Sequence, residues 1–148
     1  FAMIEVRKLT ATDVKAAHLI ITATTNERSR IAQLNHASRG RTFTAREALL
    51  LGAAPITAAE IQAATVPGRA LASLRTYANI LSNRRGTIDL DVRPRRIPFF
   101  ARNDVPPLDI PDWHTARSSL HARLFGDLDA VARELVTNLE SFLDTVDR

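Results

Sequence analysis

The chain has 148 residues, of which 45% are hydrophobic, and this is enough for one domain with a core of its own. It has no cysteine, which excludes disulfide bonds, a thiol nucleophile and a cysteine-ligated metal, and no apolar run approaches the ~18 residues of a membrane span. Its formal net charge at pH 7 is +4.

That charge is distributed unevenly along the chain. Residues 1–38 carry a net charge of +2, residues 39–102 contain 11 Arg and 4 acidic residues, and residues 103–148 contain 4 Arg and 9 acidic residues. We call residues 39–102, with their net charge of +7, the basic centre; the segment after it has a net charge of −5. A basic centre and an acidic C-terminal segment predict two surfaces with different partners.

The N-terminal part of the chain predicts a short strand followed by helix. Residues 4–9 alternate apolar and polar side chains, which is typical of a strand. Thr10 or Thr12 can cap the helix that follows. Apolar residues at near-helical spacing then predict one long helix over residues 12–36, or two helices broken near Thr25–Asn26.

Three shorter helices are predicted in the basic centre. Two capping boxes, in each of which Glu follows Thr by three residues, predict the starts of helices over residues 44–51 and 57–65. A third helix, over residues 69–83, follows a Val-Pro-Gly turn and carries an apolar stripe that is predicted to face the core. The stripe consists of Leu71, Leu74, Ala78 and Leu81.

A β-ribbon and an extended connector are predicted after the third helix. Residues 87–92 alternate apolar and polar side chains, a basic turn follows, and residues 97–101 return as a second strand, which Pro98 marks as an edge. Residues 103–114 form a Pro-rich connector. It has too many apolar residues for a free linker, so we expect it to lie against the body of the protein.

The segment of residues 115–148 predicts two amphipathic helices with a break at Gly126–Asp127. One face carries apolar residues at spacings close to a heptad pattern. This C-terminal seam either packs onto the N-terminal helix of the same chain or pairs with a second copy as a dimerisation surface. The seam consists of Leu124, Leu128, Val131, Leu135, Leu139, Phe142 and Val146.

The order of three helices and a ribbon matches that of a winged helix. The predicted fold is therefore mainly α with a small β-ribbon: a single domain over residues 1–148, with a winged-helix-type core over residues 42–102 flanked by N- and C-terminal helices. In such a domain the third helix lies in the major groove of DNA and the ribbon contacts the backbone. The residues predicted to read bases are Arg69, Ser73, Thr76 and Asn79. Those predicted to contact phosphates are Arg75, Arg84, Arg85, Arg93, Arg95 and Arg96.

Other kinds of site have less support in the sequence. Asp109, Asp112 and His114 could form a carboxylate-rich metal site, but a helix-capping cluster explains them better. Five glycines, none clustered, provide no phosphate-binding loop. We therefore expect no enzyme activity, no cofactor and no metal.

These patterns lead to two predicted functions. The first is a non-enzymatic, cytoplasmic DNA-binding regulator that contacts double-stranded DNA and forms a homodimer, with no membrane association. The second is a protein-interaction or assembly module, of phage, toxin–antitoxin or adaptor type, that uses its amphipathic helices and meets acidic partners with its arginines. Asp89 and Asp91, predicted on the outer face of the ribbon, weaken the first interpretation because they would repel phosphates unless arginines pair with them.

Overall fold

The computed structural model describes residues 7–68, 73–87, 108–110 and 118–146, with the side chains of the last segment from residue 128 onward. The described part is mostly helical and contains a two-stranded parallel sheet, which confirms the mainly α class with a small sheet. In chain order, its elements are α1 (Ala11–Ala16), β1 (Ile20–Thr22), α2 (Thr25–Leu34), a 3₁₀ helix (His36–Arg41), β2 (Thr42–Thr44), α3 (Ala45–Gly52), α4 (Ala58–Ala64), α5 (Leu74–Arg84) and α6 (Ser118–Val146).

The first helix begins where the sequence predicts it. The Thr10 side chain accepts a hydrogen bond from the Asp13 backbone N–H, and the Asp13 carboxylate accepts one from the Thr10 N–H at 2.9 Å, so the two residues form a capping box. Of the strand predicted over residues 4–9, the structure describes only residues 7–9, which are not in a strand. The rest of that prediction lies outside the described residues.

The prediction of one long helix over residues 12–36 is wrong, because β1 interrupts it. The Ile-Ile-Thr sequence of β1 is β-branched and favours a strand over a helix. β1 pairs in parallel with β2, and α2 and the 3₁₀ helix connect the two strands. Thr24 and Glu27 form a capping box that starts α2 at Thr25. The alternative prediction of two helices is correct in number, but the break lies at residues 17–24, and Thr25–Asn26 are the first residues of α2.

The capping boxes of the basic centre are confirmed. Thr44 with Glu47 starts α3, and Thr57 with Glu60 starts α4. The predicted ribbon over residues 87–101 lies outside the described residues, except for Thr87, which is in a turn. The described sheet, β1 with β2, is a different and parallel one.

The described part of the connector lies against the body, as expected. Leu108, Asp109 and Ile110 are all buried, and the Ile110 N–H donates to the Ala23 carbonyl at 2.9 Å. The Asp109 carboxylate accepts a hydrogen bond from the backbone N–H of Thr25 at 2.7 Å. Asp109 therefore caps the start of α2, whereas the other two residues of the predicted cluster, Asp112 and His114, lie outside the described residues.

The buried face of α5 is shifted from the predicted stripe. Ala78 and Leu81 are fully buried, but Leu74 is 43% exposed, and Leu71 lies outside the described residues. Tyr77 is one helical turn before Leu81, so the two share a face, and the apolar surface of α5 centres on them. The buried side chains of α5 are Thr76, Tyr77, Ala78, Ile80 and Leu81.

α6 is one continuous helix of 29 residues, so the predicted break at Gly126–Asp127 is wrong. Its C-terminal part packs on α3 and completes the core: Phe142 is 2% exposed, and its ring lies 5.4 Å from that of Tyr77. Leu135, Leu139 and Val146 are partly buried against the same core. The structure thus gives this part of the C-terminal seam a partner within the chain, although that partner is α3 rather than the N-terminal helix.

Gly52 lies where α3 closely approaches both α5 and α6. A β-carbon at this position would lie 2.9 Å from the Tyr77 hydroxyl oxygen and 3.3 Å from the Asn138 side-chain nitrogen. The Tyr77 hydroxyl is buried and has no hydrogen-bond partner among the described residues. Residue 52 therefore has little room for a side chain between Tyr77 of α5 and Asn138 of α6.

Candidate anion-binding surface of the basic centre

Arg84, a predicted phosphate contact, holds together two helices of the fold. Its guanidinium group forms a two-point ion pair with Glu60, at 2.6 and 2.8 Å. Its remaining donors reach the carbonyls of Leu51, Ala54 and Pro55 at 2.8 to 3.0 Å. Arg84 therefore caps the end of α3 and ties it to the start of α4, which leaves no donor for a phosphate.

The ion pair with Arg84 also changes the titration of Glu60. The hydrogen bond from Arg84 is the largest effect and lowers the pKa of this carboxyl to about 2. Burial raises the pKa, but the hydrogen bond from the Thr57 backbone lowers it further. Glu60 is therefore ionised over the whole physiological range, and Arg84 stays paired.

Arg85, the second predicted phosphate contact of this turn, is also used inside the molecule. Its Nε donates to the Glu47 carboxylate at 2.7 Å, and its other nitrogens donate to the carbonyls of Arg39 and Thr42 at 3.0 and 2.6 Å. The guanidinium carbon lies 4.5 Å from the centre of the Phe43 ring, which adds a cation–π contact. Arg85 thus fixes the end of α5 against β2.

Glu47 connects three helices from a buried position. It lies on α3 with 2% of its side chain exposed, and it accepts hydrogen bonds at 2.7 Å from Arg85 at the end of α5 and from Arg28 on α2. Burial raises the pKa of the Glu47 carboxyl, but the hydrogen bonds from the two arginines outweigh it, so the pKa lies below its usual value. The carboxylate is therefore charged and compensated.

Three predicted base-reading residues take structural positions. Thr76, predicted to read bases, is 1% exposed and so does not face solvent as base reading requires: its helical position lies beside Tyr77, within the buried face. Ser73 is the N-cap of α5 and accepts a hydrogen bond from the Thr76 N–H at 3.1 Å. The Asn79 side chain donates to the carbonyl of Ala64 at 3.0 Å, which caps the end of α4.

Of the five remaining predicted DNA contacts, only Arg75 lies within the described residues. Arg75 is half-buried on α5 and makes no side-chain hydrogen bond or ion pair to another described residue. Its charge adds to the effect of burial in lowering the pKa of Arg41, whose side chain is 6% exposed and donates to backbone carbonyls. Arg69, Arg93, Arg95 and Arg96 lie outside the described residues.

The described arginines of the basic centre therefore fall into two groups. Arg84 and Arg85 are ion-paired and Arg41 is enclosed by carbonyls, whereas Arg39, Arg46 and Arg75 have no side-chain partner within the described segments. We call the last three the unpaired arginines. Glu47 and Glu60 are already paired, so no carboxylate of the described basic centre remains to compensate them.

A groove opens above the Glu47 ion pairs. Its volume is about 360 Å³, and it lies between α2, the 3₁₀ helix and the end of α5, with Leu108 as an apolar wall. Arg28, Arg39 and Arg85 line it together with Glu47. Sequence reasoning did not select Arg28 or Glu47 as site residues, because Arg28 is 19 residues from Glu47 along the chain and Arg85 is 38. The Thr44–Glu47 capping box was the signal nearest to this site.

No other site chemistry stands out in the described ranges. They contain no group of three or more His, Asp or Glu residues placed to hold a metal ion. None of the described helices is both long enough and apolar enough to cross a membrane. No protein-family model matches the chain, and no curated protein or solved structure matches it significantly.

Proposed function

We propose that this protein is a non-enzymatic DNA-binding protein that holds the phosphate backbone through arginines that the fold does not use. The observation that carries the proposal is that Arg39, Arg46 and Arg75 have no carboxylate partner among the described residues, in a basic centre whose described carboxylates are already paired. Duplex DNA carries one negative charge per about 1.7 Å of its axis, and cations without local partners supply the electrostatic part of its binding.

The proposal keeps the winged-helix arrangement, with α3, α4 and α5 as its three helices and residues 87–101 as its wing. Arg93, Arg95 and Arg96 would be further phosphate contacts. If they are, changing Arg95 and Arg96 together to Ala weakens binding equally for all DNA sequences and flattens its dependence on salt.

The role proposed for α5 differs from the sequence prediction, in which this helix reads bases. The polar side chains predicted to read bases from its described turns are buried or bonded to the backbone, as Thr76 and Asn79 show. Base discrimination requires free donors and acceptors that face the groove. We therefore expect little preference among DNA sequences from this helix.

Fluorescence anisotropy with labelled duplexes tests this proposal. A random, an AT-rich and a GC-rich duplex are titrated at about 50 mM and about 200 mM salt, because release of counterions makes backbone binding fall steeply over that range. We expect similar affinities for the three duplexes and a loss of at least about tenfold in affinity at the higher salt. Absence of binding at low salt would contradict the proposal.

A second candidate function, a protein-interaction module, is favoured by one feature of α6. Val136 and Leu143 are 52% and 37% exposed and lie seven residues apart, so they form an apolar flank beside the buried seam. Such a flank suits a partner helix.

Pairing with a second copy stays a prediction for Leu124, Leu128 and Val131. Analytical ultracentrifugation that shows a concentration-independent monomer would contradict the homodimer.

A further inference from the structure

The groove above Glu47 has free hydrogen-bond donors at its rim. Arg28 uses only one of its terminal nitrogens, Nη1, to contact Glu47. Arg39 is exposed, and its guanidinium group makes no hydrogen bond within the described part of the chain. Arg85 is different, because Glu47 and two backbone carbonyls occupy all three of its nitrogens. Among the described residues, the free donors for a ligand therefore come from Arg28 and Arg39.

The groove also has a surplus of positive charge. Three guanidinium groups and one carboxylate line it, which leaves a net charge of +2. The Arg28 side chain is 32% exposed and that of Glu47 is 2% exposed, so the cation reaches solvent while the anion is covered. The accessible face of the groove is therefore more positive than the sum of its charges indicates.

The Glu47 contact also fixes the orientation of Arg28. A guanidinium group held by one nitrogen loses less conformational freedom when it binds a second anion with its other nitrogens. Arginine forks match the oxygens of phosphate and carboxylate groups with two parallel hydrogen bonds. Arg28 is thus preorganised for an oxyanion.

We infer that the groove between α2, the 3₁₀ helix and the end of α5 is a binding site for a small molecule with a phosphate or carboxylate group, held by Arg28 and Arg39. Arg85 forms the fixed wall of the site, and Leu108 and Ala32 contact the less polar part of the ligand. The volume of about 360 Å³ lies within the usual range for small-molecule sites.

A small ligand fits this groove better than a DNA phosphate does. The site is recessed, and the buried carboxylate of Glu47 lies at its base, between Arg28 and Arg85. A duplex presents a long convex row of phosphates, which favours cations spread over an exposed surface. The groove is therefore separate from the DNA contacts proposed above, with Arg39 alone common to both.

NMR titration tests the inference directly. Inorganic phosphate and acetate are added separately at constant ionic strength, and the arginine Nε–H signals are followed. We expect saturable shifts confined to the arginines that line the groove. Arg28→Gln is expected to weaken binding at least about tenfold, since it removes the charge-assisted fork.

Two further variants distinguish loss of the binding site from loss of stability and from a general change of charge. Arg39→Gln changes an exposed side chain and is expected to weaken binding even if Arg28→Gln, which removes a partner of the buried Glu47, proves unstable. Arg46→Gln is the matched control, because Arg46 is unpaired but does not line the groove. Linear shifts spread over all arginines, or equal affinities in all three variants, would overturn the inference.

Measurements with duplex DNA distinguish failure of the small-ligand site from failure of the proposed DNA binding. Phosphate that still saturates the groove in a protein unable to bind duplex DNA supports the site and refutes the DNA proposal. Binding of duplex DNA without saturable shifts from phosphate or acetate would support the DNA proposal and refute the small-ligand site. Because Arg39 is common to both surfaces, a duplex can compete with phosphate in the wild type through that residue. Displacement of phosphate from Arg28 by a random duplex in the Arg39→Gln variant would show that the groove itself is part of the DNA surface, and would overturn the assignment to a small ligand.

Discussion

Arg84 uses all five of its N–H donors within the molecule. Two reach Glu60, and three reach carbonyls at the end of α3 and in the loop that follows. Without this side chain the carbonyls lose their donors, and the Glu60 carboxylate loses its counter-charge.

We therefore predict that Arg84→Ala lowers the free energy of unfolding by about 2 to 4 kcal/mol, measured by urea denaturation. Arg46→Ala is the control, because Arg46 has no side-chain partner in the described segments; we expect a change within about 0.5 kcal/mol. Equal effects of the two substitutions would show that Arg84 is not a structural residue.

Glu60 adds a pH dependence to the same contact. The ion pair with Arg84 lowers the carboxyl pKa from 4.5 to about 2, so its stabilisation is complete above about pH 4.5 and is lost as the pH falls towards 2. Glu60 is 32% exposed, so solvent screening limits the contribution to about 1 to 2 kcal/mol at neutral pH.

We predict that the stability difference between the wild type and Glu60→Gln is largest near neutral pH, decreases as the pH falls below about 4.5 and is mostly lost by about pH 2. Gln keeps an oxygen for the cap of α4, so the comparison isolates the charge. Asp129→Asn, in the exposed pair with Arg133, is the control and should change stability little at any pH. A constant difference across the pH range would refute the assignment.

At the scale of the elements, the packing of α3 against α5 depends on the contact between Gly52 and Tyr77. A β-carbon at residue 52 would lie 2.9 Å from the Tyr77 hydroxyl, so we predict that Gly52→Ala costs about 1 to 3 kcal/mol. Tyr77→Phe should be nearly neutral alone, because it removes a hydroxyl without a described partner.

In the Tyr77→Phe background the cost of Gly52→Ala should shrink, since only the Asn138 contact remains. A double-mutant cycle by thermal or urea denaturation measures this coupling. Additive effects would show that the two residues do not touch in solution.

Two neighbouring residues of α6 test its packing on the core. Phe142 is 2% exposed and Leu143 is 37% exposed. We predict that Phe142→Ala lowers the unfolding free energy by about 3 to 5 kcal/mol and Leu143→Ala by less than about 1 kcal/mol, independent of protein concentration. A cost for Phe142→Ala that depends on concentration would instead place this residue in an interface between chains.

The starts of helices were the most predictable elements, because a capping box is a local pattern. Thr44 with Glu47 and Thr57 with Glu60 specify their helices within four residues. β1 was missed because a parallel strand of three residues depends on its distant partner β2 rather than on local alternation. The Gly126–Asp127 break was overpredicted, because glycine within a helix costs only about 1 kcal/mol, which the neighbouring helical residues can outweigh.

At the scale of the whole molecule, the sequence predicted a basic surplus but not its distribution. All 18 arginines look alike in the sequence. Only the fold shows that Arg84 and Arg85 meet acids 24 and 38 residues away, while Arg39, Arg46 and Arg75 meet none in the described part of the chain. The groove could not be predicted for the same reason, since Glu47 brings Arg28 of α2 and Arg85 at the end of α5 together from distant parts of the sequence.

The salt dependence of DNA binding tests the central claim, that the unpaired arginines form the DNA surface. Anisotropy with a random duplex is measured over a range of salt for the wild type and for the triple variant Arg39→Gln, Arg46→Gln and Arg75→Gln. Arg133→Gln is the control, on the acidic helix α6. We predict that the triple variant reduces the slope of log K against log salt by about 2 to 3, and that the control leaves it unchanged. An unchanged slope in the triple variant, or a wild type that does not bind at low salt, would contradict the account.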